Sequence, residues 1–140
     1  MHSLTILEHS FEDIFKGCVN SRKEPVKTQL LTKGSIINEA VGEYKSKMAS
    51  LKGHTIKTVI DKQSDAKIKK ELQKLYSDKM VKGVARPIYE YILAESKSKG
   101  CCFCSYAEAT EIDHFLPKSK FSEFSIAPIN LVPVCNRCNN

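Results

Sequence analysis

The sequence predicts an α+β fold that is mostly helical, and three observations carry that reading. Apolar residues recur every three to four positions through much of the first hundred residues. This periodicity stops at Gly100, after which Pro117, Pro128 and Pro133 divide the chain into short pieces. Four of the six cysteines then fall in two pairs, Cys101 with Cys104 and Cys135 with Cys138. The change of character sets a boundary near residues 97–100. A helical, lysine-rich region over 1–97 precedes a cysteine-bearing module over 98–140.

The elements follow from local pattern. Residues 11 to about 22 form an opening helix with the weakest periodicity of the set, and Cys18 within it reads as a buried small hydrophobe. Ile36, Ile37, Ala40, Val41, Tyr44, Met48 and Leu51 predict a second helix, with Ser35 as its N-cap and Gly53 as its stop. Residues 55–60 alternate poorly and read as a loop or short extension. A third helix spans about 64 to 81, capped by Ser64, with Ile68, Leu72, Leu75, Tyr76 and Met80 inward. A fourth starts at Pro87, a residue favoured in the first helical turn, and ends before Gly100. These stripes read as core. His2, His9 and His54 lack any partnering motif and read as surface residues.

Charge narrows the partners. The net charge is +6, and residues 101–140 hold three basic against four acidic side chains, so the excess lies in the first hundred residues. Eleven lysines fall between positions 45 and 82. A lysine-rich face suits a polyanion such as nucleic acid, although a solvated helical surface accounts for it equally well. No apolar run approaches the roughly 18–20 residues needed to span a bilayer. The N-terminus has no signal-peptide pattern, so a cytoplasmic protein without a membrane partner is expected.

Two residues between cysteines let a tight turn aim both sulfurs at one point, and two such knuckles complete a tetrahedral four-thiolate shell. That arrangement predicts structural zinc at Cys101, Cys104, Cys135 and Cys138. Cys102 offers a one-residue alternative to Cys101, disfavoured because the chelate would be strained. Six cysteines would also permit three disulfides, but Cys18 lies far from the cluster and no secretory signal accompanies them.

Between the knuckles lies EIDHFLP at 111–117, followed by NLVPVC at 130–135 and by Asn139 after Cys138. A C-x2-C, an acidic-x-D-H-hydrophobic-x-P segment and N-L-x3-C-x2-C-N together resemble the zinc-stapled HNH endonuclease family. The resemblance covers about 40 residues of the chain. It implies a ββα-metal module with His114 as general base, Asp113 and Asn139 on a catalytic Mg²⁺ or Mn²⁺, and Asn130 orienting the histidine, an H-N-N version of the motif. The residue types suit phosphodiester hydrolysis: a histidine titrates near neutrality and a carboxylate is a hard oxygen donor. The implied substrate is nucleic acid, DNA ahead of RNA. Proteins of this look serve bacterial restriction or anti-phage defence, some beside an ATPase partner. The family's last ligand lies on a helix that continues further, so the chain is expected to be truncated at its final helix, as a fragment, a shortened form or one completed by a partner. Two rival readings stand beside this one: a non-catalytic zinc module that binds nucleic acid or protein, and a helical region that docks a protein partner.

Overall fold

The computed structural model describes residues 10–139. It is α+β and predominantly helical, with one small sheet. His2 and His9 lie outside the described residues, and His54 is exposed.

Helix α1 spans Phe11–Asn20. Its N-cap is Ser10, whose hydroxyl accepts the Asp13 N–H at 3.2 Å, and Glu12 and Asp13 place negative charge against the positive end of the helix. Phe11, Ile14, Phe15, Cys18 and Val19 form one buried stripe. Helix α2, Val26–Thr32, was not expected; it buries only Leu30, too little to give a periodic signal. Lys33 alone separates it from α3, Gly34–Ala49. Ser35 therefore lies inside α3 rather than capping it.

The end of α3 also differs from the expected stop at Gly53. The Lys52 N–H donates to the Lys47 carbonyl at 2.7 Å and the Leu51 N–H to Met48 at 3.2 Å, the two bonds of a Schellman motif. Leu51 occupies its left-handed position, with φ of 61°, and is 87% exposed. The apolar stripe ends at the half-buried Met48, so nothing draws Leu51 into the core.

Helix α4, Ala66–Leu75, passes directly into a π-helical turn at Tyr76–Val81. Ser64 does not cap it. The turn before it is held instead by the Asp61 carboxylate, which accepts the N–H groups of Gln63 and Ser64 at 2.7 and 3.0 Å. Gly83 is required after the π turn, because a Cβ there would lie 2.5 Å from the Asp78 carbonyl oxygen. Helix α5, Arg86–Glu95, has Pro87 in its first turn as expected.

Strands β1, Glu111–His114, and β2, Leu131–Val134, pair antiparallel, with Glu111 opposite Val134 and His114 opposite Leu131. Helix α6, Asn136–Asn139, follows β2 and packs on β1. Helix α5 ends at Glu95, but the core continues beyond it. One buried cluster joins Leu30, Ile37, Tyr44 and Leu72 of the helices to Ile112, Phe124, Ile126 and Leu131 beyond them. Burying an aliphatic side chain of this size contributes about 1.5–3 kcal/mol, so the sheet and its loop rest on the helices for stability. No described helix is long and apolar enough to cross a membrane.

Candidate metal centre and catalytic site

The four cysteines selected by spacing converge. Their sulfurs all lie within 4.8 Å of one another, and Cys104 and Cys135 are 3.9 Å apart. Tetrahedral coordination at about 2.3 Å sets neighbouring sulfurs about 3.8 Å apart, so the group could hold a metal ion such as zinc. The first knuckle is shaped by backbone. Gly100 takes φ of +76°, the Cys101 N–H reaches Ala107 and the Ser105 N–H returns to Cys101, each at 2.8 Å. The Phe103 N–H points at the Cys101 sulfur, 3.4 Å away. Cys102 is exposed and outside the group, its N–H held by the Pro133 carbonyl at 2.9 Å. The structure thus gives the knuckle to Cys101.

The thiols of the cluster differ in how readily they ionise. Burial opposes ionisation of Cys101, but the N–H groups of Cys104, Cys135 and Phe103 outweigh it and hold the thiol down to about 6. Hydrogen bonding to Cys135 leads the effects that push Cys138 up to about 12. Sulfurs this close cannot all ionise alone, whereas a divalent ion would stabilise four thiolates together.

Strand alternation sorts the remaining motif residues. Ile112 and His114 face inward, while Glu111 and Asp113 share the half-exposed face. His114 is 9% exposed. Its Nε2 lies 2.8 Å from the Ser125 carbonyl oxygen. A carbonyl can only accept, so Nε2 carries the proton and Nδ1 of the neutral ring keeps its lone pair. Burial pulls the imidazole below the usual histidine range, against the opposing pull of the Ser125 carbonyl. The ring is therefore neutral at physiological pH. Tyr76, the first residue of the π turn, packs edge-on against it at 4.4 Å and 70°. Lys118 sits over the ring of that phenol, 4.9 Å from its centroid.

On the opposite face, Glu111 holds both ends of α6. Its two carboxylate oxygens accept the side-chain amides of Asn136 at 3.3 Å and Asn139 at 3.1 Å. With Nδ2 of Asn139 engaged in this way, Oδ1 is the atom left to meet a cation. Asp113, two residues along the strand, accepts the His114 backbone N–H at 2.7 Å.

Asn130 is fully buried and works on the loop after β1. Its Oδ1 accepts the Leu116 N–H at 2.8 Å and the Tyr44 hydroxyl at 2.9 Å, and its Nδ2 donates to the Leu116 carbonyl at 2.9 Å. Among the described residues no hydrogen bond joins Asn130 to His114. The amide holds the peptide two residues beyond the histidine.

The chain is similar to a phage protein. Protein ea31 of Escherichia phage lambda is 43% identical over 74 residues, which cover 51% of this chain and 25% of that protein. The chain thus spans about a quarter of that relative's length. No protein-family profile matches, and no solved structure matches.

Sequence reasoning gave no role in the site to Glu111, named only within the motif, to Tyr76 and Tyr44, named only as core, or to Ser125. Only Glu111 carried a usable local signal, since a period of two along β1 sets it on the face of Asp113. The other three reach the site from distant segments.

Proposed function

We propose that this chain is a metal-dependent HNH endonuclease that hydrolyses nucleic-acid phosphodiester bonds, DNA ahead of RNA, with zinc at the four cysteines as a structural ion. The observation that carries the reading is the 2.8 Å contact between Nε2 of the buried His114 and the Ser125 carbonyl, which assigns the proton to Nε2 and leaves Nδ1 as the base. A Mg²⁺ or Mn²⁺ ion, held by the Asp113 carboxylate and the Asn139 amide oxygen, would supply charge neutralisation at the phosphate. The hard oxygen donors fit such an ion. Glu111 fixes the Asn139 amide so that its oxygen is presented, and the Ser125 carbonyl fixes the imidazole plane. Nδ1 of His114 takes a proton from water as its oxygen attacks phosphorus. The bond from phosphorus to the 3′ oxygen then breaks, leaving 5′-phosphate and 3′-hydroxyl ends.

The test is to incubate the purified protein, shown by elemental analysis to hold one zinc, with DNA and RNA in the presence and absence of Mg²⁺ or Mn²⁺. Cleavage should require the added ion, and His114→Ala should lower it at least ~10²-fold. Added imidazole should restore part of that loss, which a folding defect would not allow. Equal cleavage by wild type and His114→Ala, or none by either, would leave a metal-stapled binding module as the better description.

A further inference from the structure

A second feature lies beside this site. Thr58, Asp61, Lys62, Lys69, Ser119 and Lys120 line an open groove of about 670 Å³. Three segments each contribute one ammonium group: the loop before α4 gives Lys62, α4 gives Lys69, and the turn after β1 gives Lys120. Among the described residues none of these three has a carboxylate at ion-pair distance. Lys16, Lys33, Lys47 and Lys74 do, pairing with Glu12, Asp65, Glu43 and Glu71. Asp61 brings one carboxylate to the groove against the three ammonium groups. Asp61 accepts the N–H groups of Gln63 and Ser64, and the buried Glu123 accepts the Thr58 hydroxyl.

The groove is fastened to the catalytic histidine. Lys120 and Ser119 belong to a turn whose Lys120 and Phe121 N–H groups both return to Pro117, at 3.0 and 2.9 Å. Gln73, one helical turn beyond Lys69, donates to the Lys118 carbonyl at 3.0 Å and locks this turn to α4. Lys118 in turn rests on Tyr76, which rests on His114. The groove lining has no aromatic ring on which a base could stack. Its chemistry is cationic, with the Ser119 hydroxyl as an added donor, and suits backbone phosphates irrespective of sequence.

We propose that Lys62, Lys69 and Lys120 form a phosphate track that holds the backbone of a nucleic-acid strand running to His114, an inference that rests on the nuclease reading. The track separates these lysines from Lys67, Lys70 and Lys74, which share α4 but do not line the groove.

The experiment measures binding of a labelled DNA duplex to inactive His114→Ala protein between about 50 and 200 mM salt, with thermal melting as a check on folding. One variant combines Lys62→Gln, Lys69→Gln and Lys120→Gln; a control combines Lys67→Gln, Lys70→Gln and Lys74→Gln. The track variant should flatten the log–log salt dependence by about 2–3, close to 0.9 per lost phosphate contact, and weaken binding at least ~10-fold at low salt. The control should change the slope by less than about 1. Equal losses in both variants, or no loss in the track variant, would overturn the proposal. Cleavage by the otherwise wild-type chain separates the two readings. Nucleic acid held through the track but never cut would leave the track standing and remove the nuclease. Normal cleavage and binding by the track variant would do the reverse.

Discussion

Asn130→Ala tests how the loop beyond His114 is held. The substitution removes an acceptor from the Tyr44 hydroxyl and both partners from the Leu116 peptide. Tyr44 is 2% exposed, so its stranded hydroxyl costs about 1–3 kcal/mol. Leu116 is half-buried and water can reach its peptide, so each bond lost there costs the ordinary net of about 0.5–1.5 kcal/mol. The expected loss is about 2–6 kcal/mol, a large share of a stability of about 5–15 kcal/mol. Urea denaturation with zinc present measures it. Tyr44→Phe provides the second arm of the cycle. Alone it leaves Oδ1 of Asn130 one partner short, whereas in the Asn130→Ala background it removes the stranded hydroxyl and should cost nothing or restore stability. A coupling of at least ~1 kcal/mol is expected. Asn130→Asp should be as damaging as alanine, because an oxygen then faces the Leu116 carbonyl where an amide donated. A loss below ~1 kcal/mol for Asn130→Ala, or the same cost for Tyr44→Phe in both backgrounds, would refute the reasoning.

Two further predictions concern the scaffold. Leu51→Gly should stabilise the protein by about 1 kcal/mol, since glycine relieves the left-handed position while the exposed leucine gives up no packing; a lower melting temperature would contradict this. Burial, the leading effect, holds the Glu123 carboxyl above the ordinary glutamate range, against the Thr58 hydroxyl and the N–H groups of Val59 and Ile60. The folded chain therefore keeps a proton that the unfolded chain releases. That contribution is complete below the ordinary value of about 4.3 and is lost as pH rises through the raised one. The melting temperature of wild type relative to Glu123→Gln should accordingly fall across that window and level off above it, and a constant gap would argue against a perturbed Glu123.

What could be read in advance divides by sequence distance. Helix α5 was legible because Pro87 and the apolar side chains of Ile88 and Ile92 lie within a few positions of one another, whereas α1 was the weakest expectation of the set although Ser10 caps it and one face is buried. The cysteine cluster was legible because knuckle spacing is itself geometry, and the choice of Cys101 over Cys102 followed from chelate strain. Helix α2 was not, because Leu30 is its only buried residue and a single inward residue has no period. The α3 terminus was missed because a Schellman motif usually advertises a glycine, and here Leu51 fills that position. The surroundings of His114 were out of reach for another reason. Tyr76, 38 positions earlier, and Ser125, 11 later, meet it only once the π turn and the loop have folded. The motif marked the histidine, but not the groups that settle its proton.

The hydrogen bond between Tyr44 and Asn130 spans 86 residues, and that span orders events at the ribosome. Segments emerge N-terminus first. A nascent chain complete through α5 has its hydroxyl waiting without an acceptor, and a core still lacking Phe124, Ile126 and Leu131. Nothing yet exists to seat residue 114 or to hold the turn behind it. Until β2 has emerged, the helices stand as a scaffold without its centre. The cysteine cluster and the loop behind the histidine close only once Leu131–Val134 and the two cysteines that follow have been made.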